Sequence, residues 1–328
     1  MHFIGIDIGR TKITICLATE KGNIVDSKRL LTQPLNGAKN GIKIISQEID
    51  DMVKRNNLNI KDIMSIGIGS PGPISSQEGK ILNPPDFKGW QNIEIVKMFK
   101  EIYHKPTFMN NDANAACLAE WEFGSAKKIN DLVYLTASTG MGGGVIVDGQ
   151  LLQGITDTAG EIGHFVLDIN GPKCPCGQNG CFEAYCGGAN LARHIQTRIV
   201  KEKIKTKILD EAEGVIEQID VPCLIRALKA KDAFAIEIWH EFIIRLAQGI
   251  GIIIQTLNPQ AIILGTIAIH AQDLLLKPLK KELPRFCWKD PLEKCRIEPS
   301  SIGQNISELS AIALAVSGYN KILTNKSR

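Results

Sequence analysis

The residues that most restrict the chemistry of this chain are His164, Cys174, Cys176 and Cys181, spaced H-x9-C-x-C-x4-C. One imidazole and three thiolates make a complete tetrahedral N/S set for zinc. Gly171, Gly177 and Gly180, with Pro172 and Pro175, supply the bends that so tight a loop requires. Four protein ligands leave no open position for water, so the spacing predicts a structural ion. Binding of that kind contributes on the order of 10 kcal/mol toward ordering a loop. Cys16, Cys117, Cys186, Cys223, Cys287 and Cys295 show no ligand spacing and are expected to be core thiols.

Two further segments suit an anion. The first is Asp7-x-Gly9-Arg10-Thr11-Lys12, and the second is Ser138-Thr139-Gly140-Met141-Gly142-Gly143-Gly144. Without Cβ atoms the backbone N–H groups of such turns approach phosphate oxygens closely, and the Thr139 hydroxyl adds a donor. Each is read as a glycine turn between two strands, and facing each other from two domains the pair would hold a nucleotide's phosphates. Asp7 then suits the water shell of Mg2+, which takes one or two carboxylates plus phosphate oxygens. A literal G-x-G-x-x-G also occurs at Gly67, Gly69 and Gly72. Pro71 and Pro73 prevent the helix that a dinucleotide fingerprint needs, so this is read as a rigid Pro-Gly loop. No Walker motif is present.

The elements that must position these groups follow from hydrophobic periodicity. Residues 1–9, 11–19 and 24–31 read as three strands, with a turn at residues 20–23. An amphipathic helix should run from Gly41 to about Arg55, followed by a buried strand at residues 63–68. The opening is therefore β-β-β-α-β, and Gly9 lies in a hairpin rather than at the start of a helix. Residues 111–123 read as a helix with Asp112 near its start. A strand at residues 131–138, the glycine loop and a second strand at residues 145–147 follow. Helices are expected at residues 189–201, 222–229, 233–257 and 308–317, and a short strand at residues 261–264. The recurrence of strand, glycine turn and strand suggests two related halves.

Composition limits the class. With 328 residues, 44% hydrophobic and 22% charged, the chain suits two folded domains rather than a disordered or disulfide-stapled one. A net charge of +3 and 5% aromatic residues argue against a nucleic-acid partner. Nine cysteines without a secretory framework, and a charged N-terminal segment, argue for a reducing, cytoplasmic setting. The uncharged stretch from Leu246 to Gln272 contains Pro259 and is read as a buried helix followed by a buried strand, so no membrane partner is expected.

Taken together, the motifs resemble those of the ROK family of sugar kinases and sugar-responsive repressors, over nearly the whole chain. The first turn resembles D-x-G-G-T-K, Asn111-Asp112 the catalytic N-D pair, and Thr139–Gly144 the T-G-x-G-G-G segment. Gly160-Glu161-Ile162-Gly163-His164, with C-x-C-G-x-x-G-C-x-E ending at Glu183, resembles the family's zinc and sugar signature. Leu82-Asn83-Pro84-Pro85 with Gly89-Trp90 looks like the loop after the sugar-facing strand, and Asn258-Pro259 with Ile263-Leu264-Gly265 like the segment beside adenine.

The resemblance implies an α/β fold of the actin-like, hexokinase-like (ribonuclease H-like) kind, with two domains, a cleft between them and a structural zinc loop at residues 164–183. The small domain is expected at residues 1–112 plus 300–328, and the large one at 113–299. It implies that Asn111, Asp112, Glu161, His164 and Glu183 hold sugar hydroxyls, with His164 giving one ring nitrogen to zinc and the other to the sugar. Asp112 is the candidate base for the attacking hydroxyl. Asp7, Gly9, Arg10, Thr11, Lys12, Thr139, Gly140, Gly142, Gly143 and Gly265 would hold ATP with Mg2+. Departures from the family pattern are Arg10 for a second Gly, Asn110 for Glu, Asp157-Thr158 for small residues, and Thr266 for Gly.

The activity this implies is ATP-dependent phosphorylation of a hexose, foremost glucose to glucose 6-phosphate. The same chemistry on N-acetylmannosamine, N-acetylglucosamine or fructose is the nearest alternative. A repressor is the reading from another class, disfavoured because only six residues precede Asp7 where such relatives carry a helix-turn-helix. A homodimer or homotetramer is expected.

Overall fold

The computed structural model of the protein describes residues 1–32, 37–85 and 87–326. In chain order the elements begin β1 (His2–Ile8), β2 (Lys12–Thr19), β3 (Ile24–Leu31), α1 (Ala38–Arg55), β4 (Ile63–Ser70), β5 (Ile74–Ser75), β6 (Lys80–Ile81), α2 (Ile95–Tyr103), β7 (Thr107–Asn111) and α3 (Asp112–Phe123). They continue with β8 (Leu132–Ala137), β9 (Met141–Val147), β10 (Gln150–Leu151), α4 (Phe182–Cys186), α5 (Gly188–Glu202), α6 (Lys207–Asp210), α7 (Val221–Lys229) and α8 (Ala233–Leu257). The last are β11 (Ala261–Leu264), α9 (Ile267–Ala271), α10 (Asp273–Glu282), α11 (Lys289–Lys294), β12 (Arg296–Pro299) and α12 (Ile306–Lys326). The chain divides into unit 1, Met1–Asn130 with Gly144–Ala159 and Ser301–Arg328, and unit 2, Asp131–Gly143 with Gly160–Ser300.

Unit 1 is built on a sheet ordered β3-β2-β1-β4-β7. β1 pairs antiparallel with β2 and parallel with β4, which in turn runs parallel to β7. Strand alternation sorts β1 onto two faces. Ile4, Ile6 and Ile8 pack with Ile42, Ile45 and Ile49 of α1. On the other face Phe3 packs with Ile312, Ala315 and Val316 of α12. A Cβ at Gly5 would sit 2.9 Å from the Ala311 Cβ, so α12 lies directly on the strand backbone. Asp7 has the parity of Phe3 and Gly5, and this brings it to the face covered by α12.

The second sheet is ordered β10-β9-β8-β11-β12. Within unit 2, β11 is parallel to β8 and to β12, with Ile262 opposite Val133 and Ile297. α8 starts where the Asp232 carboxylate accepts the Ala235 N–H at 2.9 Å, and it ends at Asn258 in the left-handed region, φ 45°. The uncharged stretch after Leu246 is thus the end of α8 followed by β11. No described helix is long and apolar enough to cross a membrane.

Two expectations need correction. The glycines after Gly140 lie in strand β9, which starts at Met141 rather than at residue 145. A Cβ at Gly143 would stand 2.8 Å from the Gly160 carbonyl oxygen, so this glycine serves close packing of extended backbone. The last helix is longer than residues 308–317. Its apolar pattern fades beyond Ser317 as its residues become exposed, although the backbone stays helical to Lys326.

Candidate functional site

In unit 1 the parallel register aligns the carboxyl ends of three strands. Asp7 lies opposite Gly69, and Ser70 opposite Asn111. Carboxyl ends of parallel strands are where open α/β sheets present ligand-binding groups. Here they gather Asp7, the turn from Gly9 to Lys12, and Asn111-Asp112. The turn is closed by the Gly9 N–H donating to the Lys12 carbonyl at 2.9 Å. Thr32 at the end of β3 braces it, its hydroxyl donating to the Gly9 carbonyl at 2.7 Å and its N–H to the Thr11 carbonyl at 3.0 Å.

Asn111, not Asp112, caps α3, its side chain accepting the Asn114 N–H at 2.7 Å. Asp112 is therefore released to the first helical position, with its carboxylate accepting the Ala113 N–H at 2.9 Å. Asn110, the departure before this pair, accepts from the Asn111 N–H and from the Asn114 amide, each at 2.9 Å, and so fixes the strand-to-helix junction.

Both carboxylates are hard to ionise. Desolvation pushes Asp7 up to about 6, Asp112 and Glu308 add repulsion, and a Ser307 hydrogen bond and Lys12 oppose the rise. Asp112 is also raised, chiefly by desolvation, with backbone N–H groups and the charge of Arg10 opposing. Much of the residue's surface is nevertheless open to solvent, so protein crowds the carboxylate without covering it and a substrate can reach it. A carboxylate with a raised pKa is a stronger proton acceptor, and two repelling carboxylates favour a cation nearby.

In unit 2 the second turn is short, Ser138 to Gly140 between β8 and β9. The Thr139 side chain is exposed, and its carbonyl accepts the Ala189 N–H at 2.9 Å. Glu183 on α4 reaches this turn and accepts the Met141 N–H at 2.7 Å. A Cβ at Gly140 would lie 2.6 Å from the same carboxylate oxygen, so the glycine makes that approach possible. Gly265 follows β11, and a Cβ there would meet the Tyr134 hydroxyl at 2.3 Å. Thr266, in place of a Gly, holds φ 26° and shares a 3.0 Å hydrogen bond with the Thr136 hydroxyl.

The four expected zinc ligands converge, with ligand atoms all within 4.8 Å of one another. The Cys176 and Cys181 sulfurs are 3.6 Å apart, and the Cys174 sulfur is 3.7 Å from His164 Nδ1. Tetrahedral Zn–S bonds separate two sulfurs by about 3.8 Å, so the set fits zinc. With Nδ1 on the sulfur side, Nε2 remains for another partner. The loop is also closed by backbone bonds: Cys174 N–H to Gln178 at 2.8 Å and Gly180 N–H to Pro172 at 2.8 Å. Burial pushes the Cys174 thiol up to about 12, a cost that a bound dication removes. Glu161 is exposed immediately before the 3-10 turn Ile162–His164.

Sequence reasoning brought forward the acids, the turns and the ligand set, but missed their supports. Thr32 and Ser307 lie far along the chain from the groups they hold, and neither belongs to a motif. Asp157 was noticed only as a departure. It is buried, it accepts the Ser76 N–H at 2.9 Å, and it bonds the Ser76 hydroxyl as well. Gln153 donates to the Ser76 hydroxyl at 2.7 Å.

Residues 3–317 match the sequence model of the ROK family. A glucokinase of Thermotoga maritima is 31% identical over 314 residues, covering 96% of this chain and 97% of that one. A xylose repressor of Bacillus subtilis is 29% identical over 327 residues, 98% of this chain and 79% of the repressor. The ROK hexokinase of Thermus thermophilus superposes with a TM-score of 0.83 at 26% identity, over 98% of this chain and 100% of that one. A ROK glucokinase of Streptomyces griseus, solved with glucose and AMPPNP, superposes with a TM-score of 0.76 at 25% identity, over 97% of this chain and 100% of its own. The fold is the actin-like, hexokinase-like α/β fold of these sugar kinases.

Proposed function

The chain belongs to the ROK family, and from that premise we propose that it transfers a phosphoryl group from ATP to a hexose, foremost to the 6-hydroxyl of glucose. The observation that carries this reading is Asp112: a reachable carboxylate with a raised pKa at the carboxyl ends of the unit 1 strands, beside a phosphate-type turn. A sugar hydroxyl is a poor nucleophile at neutral pH, and a carboxylate at hydrogen-bond distance takes its proton as attack proceeds.

Asn111, Glu161, His164 Nε2 and Glu183 hold the sugar hydroxyls. Carboxylates accept several such bonds, and Glu183 keeps acceptor capacity beyond its bond to Met141. The amides of Gly9 to Lys12 and of Thr139 and Gly140, with the Thr139 hydroxyl, cradle the phosphates, and Gly142, Gly143 and Gly265 leave room for close approach. Asp7 would face the water shell of a magnesium ion carried in with the nucleotide, a cation that would supply neutralisation of phosphate charge. His164, Cys174, Cys176 and Cys181 would hold zinc, which would fix the loop without touching the reaction.

A sugar-sensing regulator is the second reading, favoured by the xylose repressor relative. A sensor needs sugar contacts but neither a base nor a triphosphate turn, so the base and turn support the kinase. The test is ADP release over glucose, fructose, N-acetylmannosamine, N-acetylglucosamine and xylose. Glucose should give the largest kcat/KM. Asp112→Ala should lower kcat about 10²–10⁴-fold with sugar affinity retained. Sugar binding without ADP release from any of the five would select the sensor.

A further inference from the structure

Arg10 stands at the tip of the turn between β1 and β2, with its side chain exposed. Among the described residues no hydrogen bond or ion pair holds its guanidinium. Asp7, Lys12, Asp112 and Glu308 form the charged surroundings of this corner of unit 1. Arg10 follows β1 and Asp112 follows β7, and the parallel register through β4 aligns the carboxyl ends of these strands, so both residues lie at one edge of the unit 1 sheet; the charge of Arg10 also acts on Asp112. Arg10 and Asp112 do not form a salt bridge, so the guanidinium keeps its five donors for a third group.

We infer that Arg10 is a catalytic residue of phosphoryl transfer, binding the equatorial oxygens of the phosphoryl group as it passes to the sugar. The inference rests on the kinase reading and deepens it. Its basis is the geometry of the reaction. An attacking oxygen within hydrogen-bond reach of Asp112 lies about 3–3.5 Å from the phosphorus in a near-attack arrangement. The phosphoryl oxygens therefore fall in the same small volume as the Asp112 carboxylate. An exposed and unpaired Arg10 side chain at the same sheet edge as that carboxylate can reach them.

In the step itself the hydroxyl proton moves to Asp112 and the sugar oxygen–phosphorus bond forms. The bond from phosphorus to the bridging oxygen breaks, and its electron pair stays on ADP. Arg10 exchanges no proton, because guanidinium does not deprotonate in proteins. It offers a planar fork to the charge on the equatorial oxygens, where a glycine would offer one backbone N–H. Before substrate binds, water satisfies the exposed side chain, so the residue carries no folding task.

The test compares ADP release by wild type, Arg10→Gly and Arg10→Lys at saturating glucose and MgATP, with thermal midpoints recorded for each. Arg10→Gly should lower kcat about 10²–10³-fold, leave glucose KM within about threefold and leave the midpoint unchanged. Arg10→Lys should recover only part of the loss, since it restores charge without the fork. Added guanidinium should raise the rate of Arg10→Gly but not of wild type. An active wild type with an equally active or faster Arg10→Gly overturns the role of Arg10 alone, as does a loss confined to glucose KM. A wild type silent toward every sugar overturns the kinase reading and the inference together.

Discussion

Replacing Asp7 by Asn should make the unliganded protein more stable and the enzyme less active. Asn keeps the shape of the side chain and an acceptor for Ser307, and removes a charge that the fold disfavours. The rise of the Asp7 pKa from the usual 3.8 to about 6 corresponds to about 3 kcal/mol of stability. Its pH dependence has a fixed sign. Below about pH 4 both native and unfolded chains hold the proton, and nothing is lost. Between pH 4 and 6 the unfolded chain releases the proton while the native protein retains it, so wild-type stability falls as pH rises and levels off above about pH 7. Asp7→Asn lacks this loss. It should therefore exceed wild type by about 3 kcal/mol at pH 8 and by roughly half that at pH 5. Thermal unfolding without nucleotide should show a gap on the order of 5 °C at pH 8. Adding MgATP should narrow or reverse the gap, because wild type gains more of the linked binding energy than a variant without the Asp7 charge. A destabilised Asp7→Asn at pH 8, or a gap that does not narrow toward pH 5, would refute the placement of Asp7 as a disfavoured charge kept for a cation.

Cys176→Ser should reduce bound zinc from about one ion per chain to none and expose residues 164–183 to protease; full zinc content by elemental analysis would contradict the ligand set. Asp157→Ala should leave the Ser76 N–H without its acceptor and cost about 1–3 kcal/mol in urea unfolding. Asp157→Asn, which keeps an acceptor and tolerates φ 57°, should recover most of the loss, and equal losses in the two variants would rule out a hydrogen-bonding role.

What could be read from the chain was what local pattern determines. The strand at Ile24–Leu31, the helix Ala233–Leu257 and the strand Ala261–Leu264 fall where periodicity put them, because each is bounded by residues that punctuate locally, such as Gly22, Asp232 and Pro259. The clustering of His164 with Cys174, Cys176 and Cys181 was legible because three of the four lie within eight residues of each other, Cys174 to Cys181. The cap of α3 was ambiguous, since Asn111 and Asp112 both suit an N-cap; the choice depends on Asn110 bonding Asn114, a contact no pattern announces. The length of the second glycine turn was misjudged because Gly143 is demanded by the Gly160 carbonyl, a neighbour 17 positions away. Thr32 and Ser307 were invisible for the same reason: a hydroxyl that braces a remote turn leaves no periodic trace.

Glu183 shows why two motifs 40 residues apart have to be considered together. Its carboxylate accepts the Met141 N–H at the start of β9, and the Cys174 thiol approaches its other oxygen at 3.9 Å. One side chain thus joins the phosphate-type turn to the metal loop within unit 2. α4 begins directly after Cys181 of the Cys/His cluster, so a metal held there would set the position of the helix, and the helix sets that of Glu183. Loss of zinc would then disturb the turn as well as the sugar contacts, and nucleotide and sugar affinity should weaken together. Zinc that ordered only its own loop would leave the nucleotide term untouched. The bond from Glu183 to Met141 argues for the coupled outcome, because a cation held by the cluster would act through α4 and Glu183 on the backbone of this turn.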